Sequence, residues 1–368
     1  MDLYLLKFPY RKVLLPLAKK MKFVDPDILG YLATLVALGT GFCYFFAPQK
    51  PILLLISVVL TLFRMTLNTI DGVIAIERGN LRLKGEIVNA LPDRYSDIFV
   101  VMGIGLSALC NPFLGMLGLS SMFLVSYTGM LSKAIGAKWQ HQGPLGKVER
   151  LILIMIFSIL SYFQLTGKIG NIGGFGYFEW LMILFAVLGQ ITVFNRLKAQ
   201  LKECAVLDWI KYRNIDKKVV VVYESQTGNS KKVADSAADA LETKAISVNE
   251  VSKEDLKSAE LVIFAVPHLG RKIIPEKTKE IIENLNVKNY ALLTTSGMPI
   301  VRIFSNKKCI DYFKDKLGKN AVKTINIKGF HAKAKTYKGH PDDKDLTNAY
   351  LFASECYEKL QGVKNENA

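Results

Sequence analysis

The sequence predicts a protein of two parts. The first is an all-α polytopic membrane bundle of about six transmembrane helices, and the second is a doubly wound α/β domain with a five-stranded parallel sheet. Half of the 368 residues are hydrophobic, and this excess is concentrated before about residue 200. After residue 217 the pattern changes to short buried-strand runs that alternate with helical stretches. We therefore divide the chain into a membrane domain at 1–200, a basic linker at 201–216 and an α/β domain at 217–363.

Six apolar stretches have the length of membrane spans, which need about 20 residues to cross ~30 Å of hydrocarbon. They lie near residues 26–48, 50–74, 88–110, 112–135, 149–167 and 177–197. Lys and Arg are concentrated before the first span, between the second and third, and between the fourth and fifth. The positive-inside rule therefore predicts that both termini and the whole α/β domain are cytoplasmic.

The first 22 residues carry six basic side chains among apolar ones, which is typical of an amphipathic helix on an anionic leaflet. An ordinary basic start is the alternative. We expect no cleavable signal peptide, because this region is highly charged and lacks a small-residue cleavage site. The net charge of +16 lies largely near the membrane, so it indicates anionic lipids and phosphate-bearing substrates as partners, and not nucleic acid.

The second and third spans carry acidic and amide side chains at their inner ends. In helical conformation Asn68 and Asp71 are three residues apart, and Asn89, Asp93 and Asp97 follow at four-residue spacing. Carboxylates at membrane depth are costly and indicate a functional site. Such hard oxygen ligands suit Mg²⁺, Ca²⁺ or Mn²⁺. The five cysteines form no CxxC motif and the four histidines show no metal-binding spacing, so reduced thiols and no zinc site are expected.

This spacing resembles the signature of the CDP-alcohol phosphatidyltransferases, DxxDGxxAR followed after eight residues by GxxxDxxxD. The residues on its positions are Asp71, Gly72, Ala75, Gly85 and Asp93, and the eight-residue gap is kept. Three positions depart from it: Asn68 and Asn89 replace acids, and Ile76 replaces the arginine. The two amides can bind a metal ion, but they carry no charge to neutralise it.

The resemblance implies transfer of a substituted phosphate from a CDP-linked lipid to an acceptor alcohol, with release of CMP. It implies Asp93 as the base, and Mg²⁺ or Mn²⁺ bound by Asn68, Asp71, Asn89 and Asp93. The four-residue spacing adds Asp97 to these candidate metal ligands. The implied residues for the CDP-alcohol and acceptor are Gly72, Ala75, Gly85, Lys133, Lys147 and Arg150. Residues 143–150 also resemble the family's Gly-rich turn. A second explanation fits Lys133, Lys147 and Arg150 equally well: basic residues at cytoplasmic helix ends set the membrane topology.

In the second part, a buried-strand run at 219–223 is followed by a hydroxyl-rich turn and a helical pattern at 231–241. A strand, a turn with one glycine and a helix are typical of a phosphate site, because free backbone N–H groups and the helix dipole point at the anion. Further strands are predicted at 244–249, 260–266, 289–295 and 321–328. Helices alternate with them near 252–258, 274–285, 302–317 and 343–361.

This half resembles flavodoxin, whose SxTGNT turn binds the phosphate of FMN. The matching turn consists of Ser225, Gln226, Thr227, Gly228, Asn229 and Ser230. Two later loops are expected beside the flavin ring and supply Pro267, His268, Thr295, Ser296 and Gly297. Neither has the Tyr or Trp that often stacks on the ring, and a lone histidine such as His268 is more typical of a surface loop. A flavodoxin-shaped scaffold with an altered site is the alternative.

The combined expectation is an integral protein of an inner or cytoplasmic-type membrane that uses a CDP-lipid, an acceptor alcohol, a divalent metal and FMN. Two other classes stay open. One is a membrane-anchored flavodoxin that delivers electrons to a redox partner and has a degenerate transferase domain. The other is a non-catalytic lipid-binding scaffold. Homodimerisation is also left open.

Overall fold

The structure is a computed structural model, and it divides into two compact units, Met1–Leu201 and Lys202–Ala368. The residues that it describes are 7–21, 23–77, 83–137, 140, 142–268, 273–283, 285–297, 306–318, 321–331 and 334–362. The predicted elements of both halves are present. Arg78 and Arg82, on which part of the topology prediction depends, lie outside the described residues.

The first unit consists of helices. They are α1 (Lys7–Lys20), α2 (Pro26–Phe46), α3 (Ile52–Glu77), α4 (Leu83–Gly105), α5 (Pro112–Ala134), α6 (Lys147–Leu165) and α7 (Tyr177–Tyr212). Among the described residues, five of these helices are long and apolar enough to span a membrane, and α4 is not one of them. At 23 residues α4 has the length of a span, but its first half is charged. The prediction of an all-α bundle of apolar helices is confirmed, and the five spans agree roughly with the predicted six.

Two of the spans begin with the same N-terminal capping arrangement, an Asp or Asn N-cap followed by proline. Asp25 precedes Pro26, and its side chain accepts a hydrogen bond from the Asp27 backbone N–H at 3.0 Å. Asn111 precedes Pro112 and accepts in the same way from Phe113 N at 2.9 Å. Side-chain oxygens at these positions satisfy N–H groups that lack a partner within the helix, and proline tolerates the first turn because it has no N–H to lose.

Helices α2 and α4 approach each other at glycines. A Cβ atom on Gly41 would collide with the carbonyl group of Phe99, and one on Gly103 would collide with the backbone of Gly41. Small residues at a helix crossing allow the two backbones to come close, which strengthens dispersion contacts where the hydrophobic effect is weak. This contact sets the position of α4, which carries Asn89, Asp93 and Asp97.

The predicted N-terminal amphipathic helix exists as α1 and packs on α3. The Tyr10 hydroxyl is 2.7 Å from the Thr66 hydroxyl, and Ala18 is buried against the apolar residues of the motif helix. Val13, by contrast, is 74% exposed. Its location on a lipid surface stays a prediction.

The second unit has a five-stranded parallel sheet in the order β2-β1-β3-β4-β5. The strands are β1 (Val219–Tyr223), β2 (Ala245–Ser247), β3 (Leu261–Pro267), β4 (Tyr290–Ser296) and β5 (Ala321–Lys328). The helices are α8 (Asn229–Ala240), α9 (Lys253–Ser258), α10 (Glu276–Ile282), α11 (Asn306–Leu317) and α12 (Asp343–Gly362). Apolar clusters cover both faces of the sheet. This confirms the doubly wound prediction, and the order reverses direction between β1 and β3.

The segment that the sequence suggests as a linker has more structure than expected. Helix α7 continues through it to Tyr212, and the boundary between the two units falls within this helix. Trp209 is buried in the core of the second unit, where its ring packs on Tyr357 and its Nε1 donates to Ala240 O at 2.7 Å. The sequence of the linker does not show which surface buries Trp209.

All five cysteines lie in the described part of the chain and are free thiols. In the second unit, burial raises the pKa of the Cys309 and Cys356 thiols to about 12. They are therefore protonated and unreactive at neutral pH, because the thiolate is the reactive form.

Candidate active site and phosphate-binding loop

The motif residues of α3 lie beside each other on one side of the helix. Asp71 is buried and Asn68 is half-buried. Gly72 is also half-buried, and a Cβ atom there would meet no described atom of another element within 4 Å. The backbone at Gly72 is therefore open to close approach by another molecule.

The polar stripe of α4 becomes less exposed along the helix. Asn89 is exposed, Asp93 is half-buried and Asp97 is buried. These residues are four apart and share one face of the helix. The three side chains therefore have different environments, and only the first two are accessible from outside the unit.

Asp93 joins three helices. Its Oδ1 accepts a hydrogen bond from Asn68 Nδ2 of α3 at 3.0 Å, and its Oδ2 lies 2.5 Å from Lys147 Nζ of α6. Arg64 of α3 is 3.8 Å from the same carboxylate. Residues that the sequence analysis assigned to metal binding and to substrate binding thus meet at one carboxylate.

Asp97 is surrounded by arginines. Its oxygens lie 3.4 Å from Arg64, 3.1 Å from Arg94 and 3.5 Å from Arg150. A carboxylate that balances three guanidinium groups has little capacity left for a metal ion. These ion pairs hold the three arginines in place, and the metal-ligand role of Asp97 stays a prediction.

The Gly-rich turn before α6 is held by α7. The Leu145 N–H donates to Thr192 Oγ1 at 3.0 Å, and Arg196 Nε donates to Gln142 O at 3.0 Å. Gly143 has φ +130°, and a Cβ atom there would lie 2.5 Å from Thr192. These contacts fix the start of the helix that presents Lys147 and Arg150.

Sequence reasoning missed this contribution of α7. Thr192, Arg196 and Gln200 follow at four-residue spacing in an apolar span, and all three are buried. Arg196 also donates to Val125 O at 2.5 Å, and Gln200 to Ser132 Oγ at 2.6 Å. Their spacing within the membrane was a usable signal, because polar side chains there face the bundle interior.

The donor set fits one divalent cation. Carboxylate and amide oxygens are the ligands that Mg²⁺ and Mn²⁺ prefer. The amide of Asn68 contacts Asp93, and exchange of its two terminal atoms would direct oxygen to the same position. Asp71 and Asp93 carry two negative charges, which is the charge needed to balance one divalent ion.

Within the described residues, one group of three or more His, Cys, Asp or Glu side chains has ligand atoms within 4.8 Å of one another. It consists of His340, Asp342 and Asp345, in the second unit. Asp71, Asp93 and Asp97 do not form such a group. Asp342 and Asp345 also cap the start of α12 reciprocally through their backbone N–H groups, which accounts for their proximity.

The remaining predicted substrate residues lie on three helices. Gly85 lies in the first turns of α4, Ala75 is half-buried on α3 and Lys133 is exposed in the last turn of α5. Their roles, like those of the metal ligands, stay predictions.

The hydroxyl-rich turn of the second unit connects β1 directly to α8. Gly228 has φ +83°, a left-handed conformation that favours glycine, and Asn229 begins the helix. The first intrahelical bond runs from Lys232 N to Gly228 O, so the N–H groups before it lack a partner within the helix. Ser225 Oγ is buried and has no hydrogen-bond partner among the described residues. An orphaned hydroxyl beside free N–H groups fits the phosphate of FMN.

The loops after β3 and β4 meet this turn at the carboxyl edge of the sheet. Ser230 Oγ is 2.8 Å from Thr295 Oγ1, and His268 N donates to Thr295 O at 2.8 Å. Ser296 is buried beside them. His268 is only 8% exposed, so the expectation of a surface histidine is wrong. Parallel strands place their carboxyl ends together, which explains why these distant residues converge.

Comparison with known proteins gives separate matches for the two units. Residues 220–329 match the family model described as Flavodoxin domain. The N-terminal region is similar to archaetidylinositol phosphate synthase of Pyrococcus horikoshii, with 29% identity over 169 residues, 46% of this chain and 78% of that protein. The inner membrane protein YnbA of Escherichia coli strain K12 is 29% identical over 136 residues, 37% of this chain and 67% of that protein.

Two solved structures illustrate the two halves. Phosphatidylinositol phosphate synthase PgsA1 of Mycobacterium tuberculosis with CDP-DAG bound has 22% identity and a TM-score of 0.43, and the match covers 51% of this chain and 94% of that one. A flavodoxin from the domain Archaea has 24% identity and a TM-score of 0.30, and covers 39% of this chain and 99% of that one.

Proposed function

We propose that this chain, which joins a membrane region similar to CDP-alcohol phosphatidyltransferases to a flavodoxin domain, is an active phosphatidyltransferase. It transfers a substituted phosphate from a CDP-linked lipid to an acceptor alcohol and releases CMP. The observation that carries the proposal is the convergence of α3, α4 and α6 on Asp93, through Asn68 at 3.0 Å and Lys147 at 2.5 Å.

Asp93 acts as the general base. Its carboxylate takes the proton of the acceptor hydroxyl, whose oxygen then attacks the phosphorus that bears the lipid. The bond from that phosphorus to the CMP oxygen breaks, and CMP leaves with the bonding electrons. The half-buried position of Asp93 supports this role, because a base must be reachable by a substrate and fixed in orientation.

A divalent ion would be held by Asp71 and Asp93 with amide oxygens of Asn68 and Asn89, and would supply positive charge for the diphosphate. Gly72 and Gly85 would leave room for the cytidine. These assignments rest on the donor set and on the open backbone at Gly72.

The acceptor is a phosphorylated polyol. Lys133, Lys147 and Arg150 supply the positive charge for its phosphate, since ammonium and guanidinium groups form charge-assisted hydrogen bonds with phosphate. The relatives named archaetidylinositol phosphate synthase support this class of acceptor.

The test is CMP release by the purified full chain from CDP-diacylglycerol with Mg²⁺, with glycerol phosphate, inositol phosphate and unphosphorylated alcohols offered separately. We expect CMP and a new phosphodiester lipid on thin-layer plates. Asp93→Asn should reduce turnover at least ~10²-fold, as typical for loss of a positioned base, with unchanged folding. Asp311→Asn, at an exposed site on α11, is the matched control. Equal CMP release by both variants would contradict the assignment.

A second candidate function is electron transfer from a membrane-anchored flavodoxin. The two asparagines and the cations beside Asp93 favour it, because they reduce the negative charge available to metal ions. No CMP from any offered alcohol, together with a redox-active flavin, would support this candidate over the transferase.

The second unit binds FMN, with its phosphate on residues 225–230. The orphaned Ser225 hydroxyl and the N–H groups at the start of α8 support the assignment. Gly228→Glu would place bulk and negative charge against a phosphate dianion. The purified chain should therefore be yellow and this variant colourless, while CMP release persists. Retention of FMN by the variant would show that the phosphate binds elsewhere.

A further inference from the structure

The segment after β5, described at 329–331 and 334–341, lies against the loop that ends β4. The Gly329 N–H donates to Ser296 O at 3.0 Å, and the Thr336 hydroxyl donates to Gly297 O. A Cβ atom on Gly297 would lie 2.6 Å from the Cβ of His331. The segment therefore contacts two residues that the flavodoxin resemblance assigns to FMN.

The same segment contacts the phosphate-binding turn. Asn229 Nδ2 donates to Phe330 O at 3.0 Å and to Thr227 Oγ1 at 3.1 Å. A Cβ atom on Gly329 would lie 3.0 Å from that Nδ2 atom, so the backbone passes close to the start of α8. One stretch of chain thus bridges the two ends of the candidate FMN site.

Internal bonds hold the segment in this position. His331 N donates to Thr336 O at 3.1 Å, and Phe330 N donates to His340 O at 3.0 Å. His340 Nδ1 lies 2.5 Å from Asp345 Oδ2, which attaches the far end to the start of α12. A loop that is bonded to itself and to a helix is preorganised, and a ligand that contacts it has less ordering entropy to overcome.

His331 presents a hydrogen-bond donor from this segment. Its Nδ1 accepts from the Ala334 N–H at 3.0 Å, so the proton of the neutral ring is assigned to Nε2. Within the described residues, no hydrogen-bond acceptor for Nε2 is found. His331 is half-buried and directly adjacent to Gly297.

We propose that this segment forms a third wall of the FMN site, and that His331 Nε2–H donates a hydrogen bond to the isoalloxazine ring. The inference rests on the proposed binding of FMN. It supplies a specific ring contact in a site whose loops after β3 and β4 have no Tyr or Trp.

The test uses the purified full chain, stripped of flavin and titrated with FMN while flavin fluorescence and the visible spectrum are recorded. Loss of one hydrogen bond in His331→Ala should weaken binding roughly three- to tenfold and shift the visible bands. His331→Gln keeps an N–H donor and should restore both. Thr336→Val should weaken binding severalfold. Thr347→Val is the matched control, because that hydroxyl also donates to a backbone carbonyl, Asp343 O, but on α12.

Suppose that His331→Ala and Thr336→Val both keep the wild-type affinity and spectrum while Gly228→Glu loses FMN. The segment after β5 would then not be part of the FMN site, and the assignment of the phosphate site would still hold. Equal losses in His331→Ala and His331→Gln would overturn the hydrogen bond from Nε2. A wild-type chain that takes up no FMN would overturn both this inference and the proposed FMN binding.

Discussion

Two carboxylates one helical turn apart on α4 have different chemistry because of their neighbours. Asp93 meets an amide and an ammonium group at the accessible end of the stripe, whereas Asp97 meets three guanidinium groups in the interior. Sequence spacing alone does not distinguish Asp93 from Asp97. Asp93 is accessible and therefore a candidate base, whereas Asp97 is buried and balances the charge of three arginines.

Asp97→Asn should destabilise the fold, because the buried guanidinium groups of Arg64 and Arg150 and the half-buried one of Arg94 would lose their shared counter-charge. Removal of one partner from a buried ion pair costs about 3–5 kcal/mol. We expect a clearly lower midpoint of thermal unfolding in detergent, measured by scanning fluorimetry, and little change for Asp93→Asn. An unchanged midpoint together with lost metal binding would return Asp97 to the ligand set.

Asn89→Asp should keep or tighten binding of Mn²⁺, since a carboxylate is the better hard ligand and Asn89 is exposed enough to accept the charge. Electron paramagnetic resonance titration of the purified chain measures the affinity. Asn249→Asp, at an exposed site after β2, controls for added charge. A sharp loss of affinity would show that the amide of Asn89 donates a hydrogen bond and is not a ligand.

At the scale of elements, each helix positions chemistry that lies on another. Helix α2 sets α4 through the approach of Gly41 to Phe99, and α7 sets the start of α6 through Thr192 and Arg196. Neither α2 nor the middle of α7 carries a motif residue. Their contribution is geometric, and catalytic groups lose efficiency with small displacements.

Gly41→Ala should therefore destabilise the first unit by roughly 1–3 kcal/mol, because the added methyl group forces α2 away from α4. Gly39→Ala, two residues earlier in the same helix, is the control: a Cβ atom there meets nothing within 4 Å, and alanine favours the helix. The thermal unfolding midpoints of the two variants show whether helix packing or helix propensity determines the effect of an added methyl group. Equal midpoints would show that the α2–α4 contact can relax at no cost.

At the scale of the whole molecule, the second unit takes part of α7 into its own core. Trp209 packs on Tyr357, and Tyr357 Oη accepts hydrogen bonds from the Asp216 and Lys217 N–H groups at 2.8 and 3.1 Å. The core thus extends before β1, to a residue that a pattern of strands and helices assigns to a linker.

A fragment of residues 202–362 should consequently be more stable than one of residues 217–362. Loss of a buried tryptophan typically costs about 3–5 kcal/mol. Urea unfolding of the two fragments gives the difference, and Trp209→Ala in the longer fragment should reproduce most of it. Identical stabilities would show that Trp209 contributes nothing to this core.

The second unit should also face the cytoplasm, given six spans and a cytoplasmic N-terminus. Protease added to sealed, right-side-out vesicles is expected to leave this unit intact, and protease added to inverted vesicles should remove it. Digestion in the right-side-out preparation would indicate an odd number of spans, with α4 as the first helix to re-examine because of its charges.

The sequence by itself determined the two-part architecture, five of the six predicted spans, the order of strands and helices, and the turn from Ser225 to Ser230. These features depend on local periodicity, on caps such as Asp25 and on glycine at a left-handed position, which neighbouring residues encode. Polar groups at membrane depth identified Asp93 as a candidate, and the resemblance to the CDP-alcohol phosphatidyltransferases added Lys147 and Arg150.

Only the tertiary structure decided which of these residues meet. It placed Asp97 among arginines, brought Thr192 and Arg196 to the Gly-rich turn, buried Trp209 and His268, and packed His331 on Gly297. These contacts join residues far apart in the chain. Helix crossings and the convergence of parallel strands create them, and periodicity within one element carries no information about its partner.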